Sequence, residues 1–437
     1  MGCHLTNLSL LCPETGLARD SDLLIGDDGR IAAQGRGLAT PAGFTRLDAR
    51  GALCLPGLVN THNHSPLMAV RGMVEDRGFA PAYIPGVPQG HWLSQEETLA
   101  LARLGVMEML TAGATTIVDY YRCPEALALA AEEFGLRAMV GGRVMDMDSA
   151  ALARGEFVED RALGEATLGA ALEVMERWDG KGRISAILAP HAPDSCSRRI
   201  FAEMRDLAQA GGRQIHTHLS QSPMEVAQIR AREGMTPTEF LDDLGLLCPD
   251  LIAAHCIFMS EDDIARFGAA GSVVAHAPIG NASFGAAAPI RALQEAGAAI
   301  TLCTDTKSAD MFEAMRMALA AARWRAGPLQ FEFDAREVFG WATTAGAAAL
   351  KGHAATGRLR PGDPADLILL DPEAANLRPV IDGFGIVAHS GSAANVTDVM
   401  VAGEWLVRDR RPTRVDPAEV VATAQAVCEG LWRRAQP

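Results

Sequence analysis

No stretch of the sequence approaches the ~18 uninterrupted apolar residues that a membrane-spanning helix needs, so no membrane partner is expected. A dense basic run is also missing. The 39 Lys and Arg are outnumbered by 54 Asp and Glu, for a formal net charge of −15. That balance argues against binding nucleic acid through its phosphates and reads as solubility rather than as a partner signal. Cys-x-x-Cys spacing never occurs. The nine cysteines (Cys3, Cys12, Cys54, Cys123, Cys196, Cys248, Cys256, Cys303 and Cys428) are odd in number and scattered. This argues against a disulfide framework or a structural zinc knuckle and points to a reducing cytoplasm. The N-terminus lacks a basic segment followed by an apolar core, so no secretory signal is expected. There are no internal repeats or low-complexity segments.

What is present is an ordinary globular composition, 49% hydrophobic and 21% charged over 437 residues. That length fits two or three domains, or one α/β barrel with an appendage. Residues 1–52 read as short strands (His4–Leu11, Ser21–Gly26, Arg30–Gly35), with a hairpin signal at Gly26-Asp27-Asp28-Gly29. Eight apolar runs follow: Ala52–Asn60, Thr115–Tyr120, Arg137–Val144, Ile184–Pro190, Gln214–His218, Leu251–His255, Ser272–His276 and Ala299–Asp305. They alternate with amphipathic segments such as Gln95–Thr111, Pro124–Phe134, Leu163–Trp178, Ser197–Ala210, Ser260–Phe267 and Met311–Trp324, and Thr236-Pro237-Thr238-Glu239 starts a helix. Eightfold strand–helix alternation with uninterrupted apolar strands is the pattern of a (β/α)8 barrel, a TIM barrel, with a buried parallel sheet. Past residue 355 strands return at Leu367–Leu370, Val396–Val401 and Glu404–Val407, and a helix over Pro417–Arg434 closes the chain. The expected division is a small β-sandwich built from both termini, residues 1–55 and 356–437, around a metal-dependent barrel of residues 56–355.

Histidines and one aspartate end these strands. Seven of the eleven histidines lie at or within a few residues of a strand end, which is where such barrels place their chemistry. His62 and His64, two apart on the first strand, face the same way and can grip one ion. His218 closes strand five and Asp305 closes strand eight, although a carboxylate there can also cap the following helix. Three imidazoles and a carboxylate suit one zinc ion, with ferrous iron also possible. Strand four ends in Leu188-Ala189-Pro190-His191, without a lysine to bridge two metals. A single divalent metal ion would lower the pKa of its water toward about 7 and make a hydroxide nucleophile. His255 can orient that water and His191 can hold a substrate heteroatom, or either can be a supporting histidine. His216, on the face of His218, reads as buried lower in the barrel, and His276 ends strand seven without an assigned role.

The motifs Leu55-Pro56-Gly57-Leu58-Val59-Asn60-Thr61-His62-Asn63-His64, Thr111-Ala112-Gly113-Ala114-Thr115-Thr116, Ala189-Pro190-His191-Ala192-Pro193 and Thr304-Asp305, with Gly362-Asp363-Pro364-Ala365-Asp366-Leu367 in the tail, resemble the amidohydrolase superfamily. The nearest branch holds triazine hydrolases, guanine deaminase and nucleoside deaminases. The resemblance implies that His62, His64, His218 and Asp305 are metal ligands, that His255 assists the nucleophile, and that Asp305 takes a proton from the water. It also implies a homodimer or larger homo-oligomer. The family's strand-five motif usually reads His-x-x-Glu, where the Glu carries a proton to the substrate ring; here it reads His218-Leu219-Ser220-Gln221. An amide donates a hydrogen bond but does not titrate near neutral pH. Glu225, one turn onward, reads as solvated helix surface. Glu75-Asp76-Arg77, beside the loop with His91 and Trp92, is another candidate source of an acid, and Trp92 is a candidate substrate contact. The turn Thr306-Lys307-Ser308-Ala309 also departs from the family's Ser-Asn-rich pattern.

The expected activity is hydrolysis at an electrophilic carbon of a small nitrogen heterocycle, by deamination or dechlorination, with Gln221 among the substrate contacts. An amide, carbamate or urea-type hydrolase with Asp305 as its one base is the alternative. From another class comes an inactive metal-binding scaffold.

Overall fold

The computed structural model describes residues 2–76, 87–88, 93–306 and 308–435. Its centre is a ring of parallel strands: Leu58–Asn63, Ala114–Tyr121, Arg137–Val144, a fourth in two pieces (Ile184–Ala186 and Ala189–Pro190), Ile215–Leu219, Leu251–His255, Val273–His276 and Ala299–Leu302. The first four pair in parallel as one arc and the last four as another. Two bridges join the arcs, Leu188 to Ile215 and Asn63 to Asp305. At the first seam His216 N donates to Leu188 O (2.8 Å); at the second, Asp305 N donates to His62 O (3.1 Å) and His64 N to Asp305 O (3.3 Å).

Alternate residues fill the ring and face the helices, as the two-residue strand period requires. Val59, Val118, Met139, Ile187, Ile252 and Ala275 form a separate interior core. Their neighbours Ile117, Ala138, Val140, Ala253 and Val274 belong to the larger core beneath the outer helices. Helix starts follow local chemistry. Capping boxes at Ser94/Glu97 and Thr236/Glu239 begin the helices Gln95–Thr111 and Pro237–Asp243. The helix expected from Leu163 begins earlier, at Arg161, because the Asp160 side chain caps it.

The expected run Ala52–Asn60 is divided. Leu53–Pro56 joins the terminal sheet and Leu58–Asn63 the barrel. Gly57 makes the turn where the chain presses on Thr115; a Cβ there would lie 2.1 Å from Thr115 Oγ1. The terminal strands form one continuous nine-stranded sheet. At its centre Leu53–Pro56 runs parallel to Cys3–Cys12 and antiparallel to Leu367–Leu370. One face, with Cys54, Leu367 and Leu369, packs on Leu5, Leu23 and Ile25. The other, with Leu53, Leu55, Ile368 and Leu370, merges with the barrel's outer core. The last helix, Pro417–Ala435, packs Ala424 and Leu431 on Leu101. All nine cysteines are free. Among the described residues no helix is long and apolar enough to cross a membrane.

The barrel is also tied to the terminal sheet by charge. Arg137, on the third barrel strand, donates to both carboxylate oxygens of Asp366 at 3.2 and 3.1 Å, and both side chains are buried. Removing one member of a buried pair strands the other charge, at a cost of about 3–5 kcal/mol. Asp366→Ala is therefore expected to lower unfolding free energy by that order in urea titrations; a loss under about 1 kcal/mol would mean that the pair contributes no more than a surface one.

Candidate active site

The first barrel strand delivers His62 and His64 to the mouth of the ring, and the following turn is pinned from the second strand. Ser65 donates its N–H (3.0 Å) and its hydroxyl (2.5 Å) to the carboxylate of Asp119. Burial pushes Asp119 up to about 6 despite these bonds.

Two backbone carbonyls fix the imidazole tautomers. His64 Nδ1 lies 2.7 Å from Tyr120 O, and His218 Nδ1 lies 2.7 Å from His191 O. A carbonyl only accepts, so each Nδ1 carries the hydrogen and each Nε2 carries a lone pair. Those two Nε2 atoms face each other at 3.2 Å. His62 is fully buried, among the described residues neither of its ring nitrogens is hydrogen-bonded, and its Nε2 is 3.4 Å from Asp305 Oδ1. The donor atoms of His62, His64 and His218 lie within 4.8 Å of one another, as do those of His62, His255 and Asp305. Burial, reinforced by neighbouring histidines, holds His62, His64 and His218 well below the usual imidazole range. They are neutral donors at neutral pH. Lone pairs converging with no hydrogen between them repel unless a cation lies among them, and the donor set of three imidazoles and a carboxylate fits zinc or ferrous iron.

The other strand ends complete the cup. His255 Nδ1 donates to Asn281 Oδ1 at 2.9 Å, which leaves Nε2 for the centre. His255 (φ 74°) and Asp305 (φ 64°) both adopt left-handed backbone, uncommon away from glycine. Strand eight stops at Leu302, before the expected Asp305, because this turn swings Asp305 across to the first strand. Gly280 leaves room for that carboxylate, since a Cβ there would meet Asp305 Oδ2 at 2.9 Å.

His191 shares a 2.6 Å hydrogen bond with Ser195 Oγ, and its ring centroid is 4.8 Å from that of His218. His216 is buried beneath His62, with Nε2 3.1 Å from Thr61 O, as its place on the strand suggested. Gln221 is half-buried after strand five, where its N–H donates to Glu225 Oε2 at 2.8 Å. Glu225 corrects the sequence reading: it is fully buried rather than solvated, and its other oxygen accepts Ser220 N at 2.9 Å. The first turn of its helix points inward because both carboxylate oxygens close the preceding loop. Burial and the neighbouring Asp194 push Glu225 up to about 8. Trp92, His91 and Arg77 lie outside the described residues.

Sequence reasoning missed Tyr120, Asn281, Asp119 and Gly280. Tyr120 had a signal: it alternates with Val118 on strand two, and its hydroxyl reaches 3.2 Å from His218 Nδ1. Asn281 follows His276 by five residues in a short helix, and no local pattern marks it as the partner of His255.

With this geometry in view, residues 53–406 match the Amidohydrolase family. The chain is 32% identical over 433 residues to the 5-methylthioadenosine/S-adenosylhomocysteine deaminase of Pelotomaculum thermopropionicum, with 94% of each chain covered. It is 30% identical over 433 residues to the 5'-deoxyadenosine deaminase of Methanosarcina mazei, covering 97% of this chain and 96% of the other. The structure of an adenosine deaminase from Xanthomonas campestris with bound zinc is similar at a TM-score of 0.86 and 26% identity over 98% of both chains.

Two outcomes follow from the packing. Gly280→Ala is expected to displace the Asp305 carboxylate and weaken zinc retention about tenfold or more, the scale of supporting-shell changes, in a competition titration against a chelator; unchanged retention would show the contact to be slack. Glu225 gives a pH dependence. The unfolded carboxyl loses its proton above about 4.3, whereas the folded one keeps it to about 8. The native state thus binds the extra proton, and stability falls as pH rises across that window. Urea midpoints are expected to decline from pH 5 to pH 8, with a shallower slope in Glu225→Gln; an identical slope would remove Glu225 as the source.

Proposed function

The chain belongs to the Amidohydrolase family, and from that premise we propose that it is a metal-dependent hydrolase that displaces an exocyclic substituent from an electrophilic carbon of a small nitrogen heterocycle. In this reading His62, His64, His218 and Asp305 hold one divalent ion, with zinc the first choice. When bound, the ion acts as a Lewis acid and brings the pKa of water toward about 7. The observation that carries the reading is the 3.2 Å approach of the His64 and His218 Nε2 lone pairs beside Asp305.

Asp305 takes the proton of the attacking water; its turned backbone and the space at Gly280 aim the carboxylate at the ion's donors. His255, held at Nδ1 by Asn281, steers the water. His191, steadied by Ser195, contacts a substrate heteroatom. Gln221 donates a hydrogen bond to the substrate but does not deliver a proton. The substrate class that fits is an aminated or halogenated purine-like ring whose leaving group departs without ring protonation at that position. The deaminases of adenosine-type compounds among the relatives support purine nucleosides as the first compounds to assay. Gln221 also favours a second reading, an amide, carbamate or urea-type hydrolase with Asp305 as its one base. Both oxygens of the neighbouring Glu225 accept backbone N–H groups, those of Ser220 and Gln221. The reading includes a cytoplasmic homodimer or larger assembly.

Metal analysis of purified protein is expected to give one zinc or iron per chain, and Asp305→Asn to lower turnover by about 10²–10⁴-fold, the usual worth of a general base. Ammonia, chloride and amine release from purine nucleosides, triazines and aryl amides separates the two readings. Turnover untouched by demetallation would end both.

A further inference from the structure

Strand seven ends in a histidine that the catalytic cup does not use. Val273 and Ala275 fill the ring, whereas Val274 belongs to the outer core. The two-residue strand period therefore turns His276 outward, toward the helices. There it lines a cavity of about 400 Å³ bordered by the helices Glu261–Ala269, Ile290–Glu295, Met311–Ala326 and Ala335–Trp341. His276 is buried, and among the described residues its Nδ1 has no hydrogen-bond partner. Burial, with the field of His255 adding to it, brings the ring down to about 3. At neutral pH it is an uncharged imidazole with one N–H and one lone pair.

The walls around it are aromatic and smooth. Trp341 meets His276 edge-on with ring centres 6.5 Å apart, and Phe333 meets Trp341 in the same way at 4.8 Å. Phe333 is buried although its backbone is left-handed (φ 61°), a conformation that persists where the surrounding structure over-determines it. The guanidinium of Arg291 lies 3.9 Å from the centre of the Phe333 ring. Ala318, Ala322 and Arg325 line the cavity from one face of their helix, and the two alanines leave it room. At the rim stand Glu261, Glu295 and Glu332 against Arg291 and Arg325. Three carboxylates and two guanidiniums select strongly for neither an anion nor a cation. Mostly apolar walls with a single buried polar group, at this volume, suit one small molecule. An imidazole nitrogen buried without a partner costs free energy, which a ligand with a complementary group offsets.

We propose that this cavity is an accessory binding site for a small, uncharged, planar nitrogen heteroaromatic. The ring packs against Trp341 and Phe333, and its edge exchanges a hydrogen bond with His276. The site lies outside the catalytic ring and does not depend on the hydrolase reading.

Benzimidazole, an uncharged planar ring with one N–H and one ring acceptor, is the probe. The full-length protein is titrated with it calorimetrically, and separately with benzoate, a planar anion. Saturable binding of benzimidazole is expected, about tenfold or more tighter than that of benzoate. Ala322→Phe, which fills the cavity, is expected to weaken it about tenfold or more. His276→Phe is expected to weaken it about threefold to tenfold, the net worth of one hydrogen bond. A crystal structure of the unsubstituted protein with the probe guards against a folding defect in either variant, and is expected to show the ring between His276 and Phe333. No saturable binding, affinity unchanged in Ala322→Phe or in His276→Phe, benzoate bound as tightly as benzimidazole, or the probe found only among the histidines of the barrel mouth would each overturn the site.

Discussion

Two buried imidazoles whose lone pairs face each other, with His62 and Asp305 alongside, constrain the rest of this molecule. A neutral imidazole gains nothing from facing another imidazole's lone pair, yet His64 and His218 do so at 3.2 Å. The carbonyls of Tyr120 and His191 prevent the rings from relaxing by a tautomer change, because each already takes the Nδ1 hydrogen. The backbone of neighbouring strands therefore chooses which nitrogen faces inward. This is an arrangement in which cation binding and folding share free energy: an ion bound only by the assembled cup stabilises the fold by mass action.

The same residues close the barrel. The seam between the first and last strands is made by backbone bonds among His62, His64 and Asp305. Opening that seam would separate the carboxylate from the imidazoles, so closure of the sheet and assembly of the site are one structural event. The left-handed backbone at Asp305 and His255 belongs here too, since such conformations persist where surrounding structure over-determines them.

Much of this was legible in the sequence because barrels place chemistry at strand ends, and histidines at His62, His64, His218 and His255 mark those ends without reference to contacts. What stayed hidden depends on directions that spacing does not encode. Ser222-Pro223-Met224-Glu225 reads as a capped, exposed helix start, and Ser222 does cap the N–H of Glu225. The carboxylate, however, reaches back past the cap to Ser220 and Gln221, which buries it. The apolar run into Asn60 looked like one strand, and only the crowding of Gly57 against Thr115 divides it between two sheets. Asn281 meets His255 through a helix laid over the mouth, a relation without a sequence period.

Gln221 bears on the charge that develops on the substrate. In the proposed reading, attack on a ring carbon sends electron density onto the heterocycle. A carboxylic acid at position 221 would discharge that density by donating a proton to the ring; an amide leaves it in place. A ring that stays anionic is poorly served by a neutral wall and better served by fixed positive charge, because preorganised groups cost no reorganisation when charge appears. A neutral residue at 221 therefore favours chemistry in which the substrate carries negative charge through the reaction.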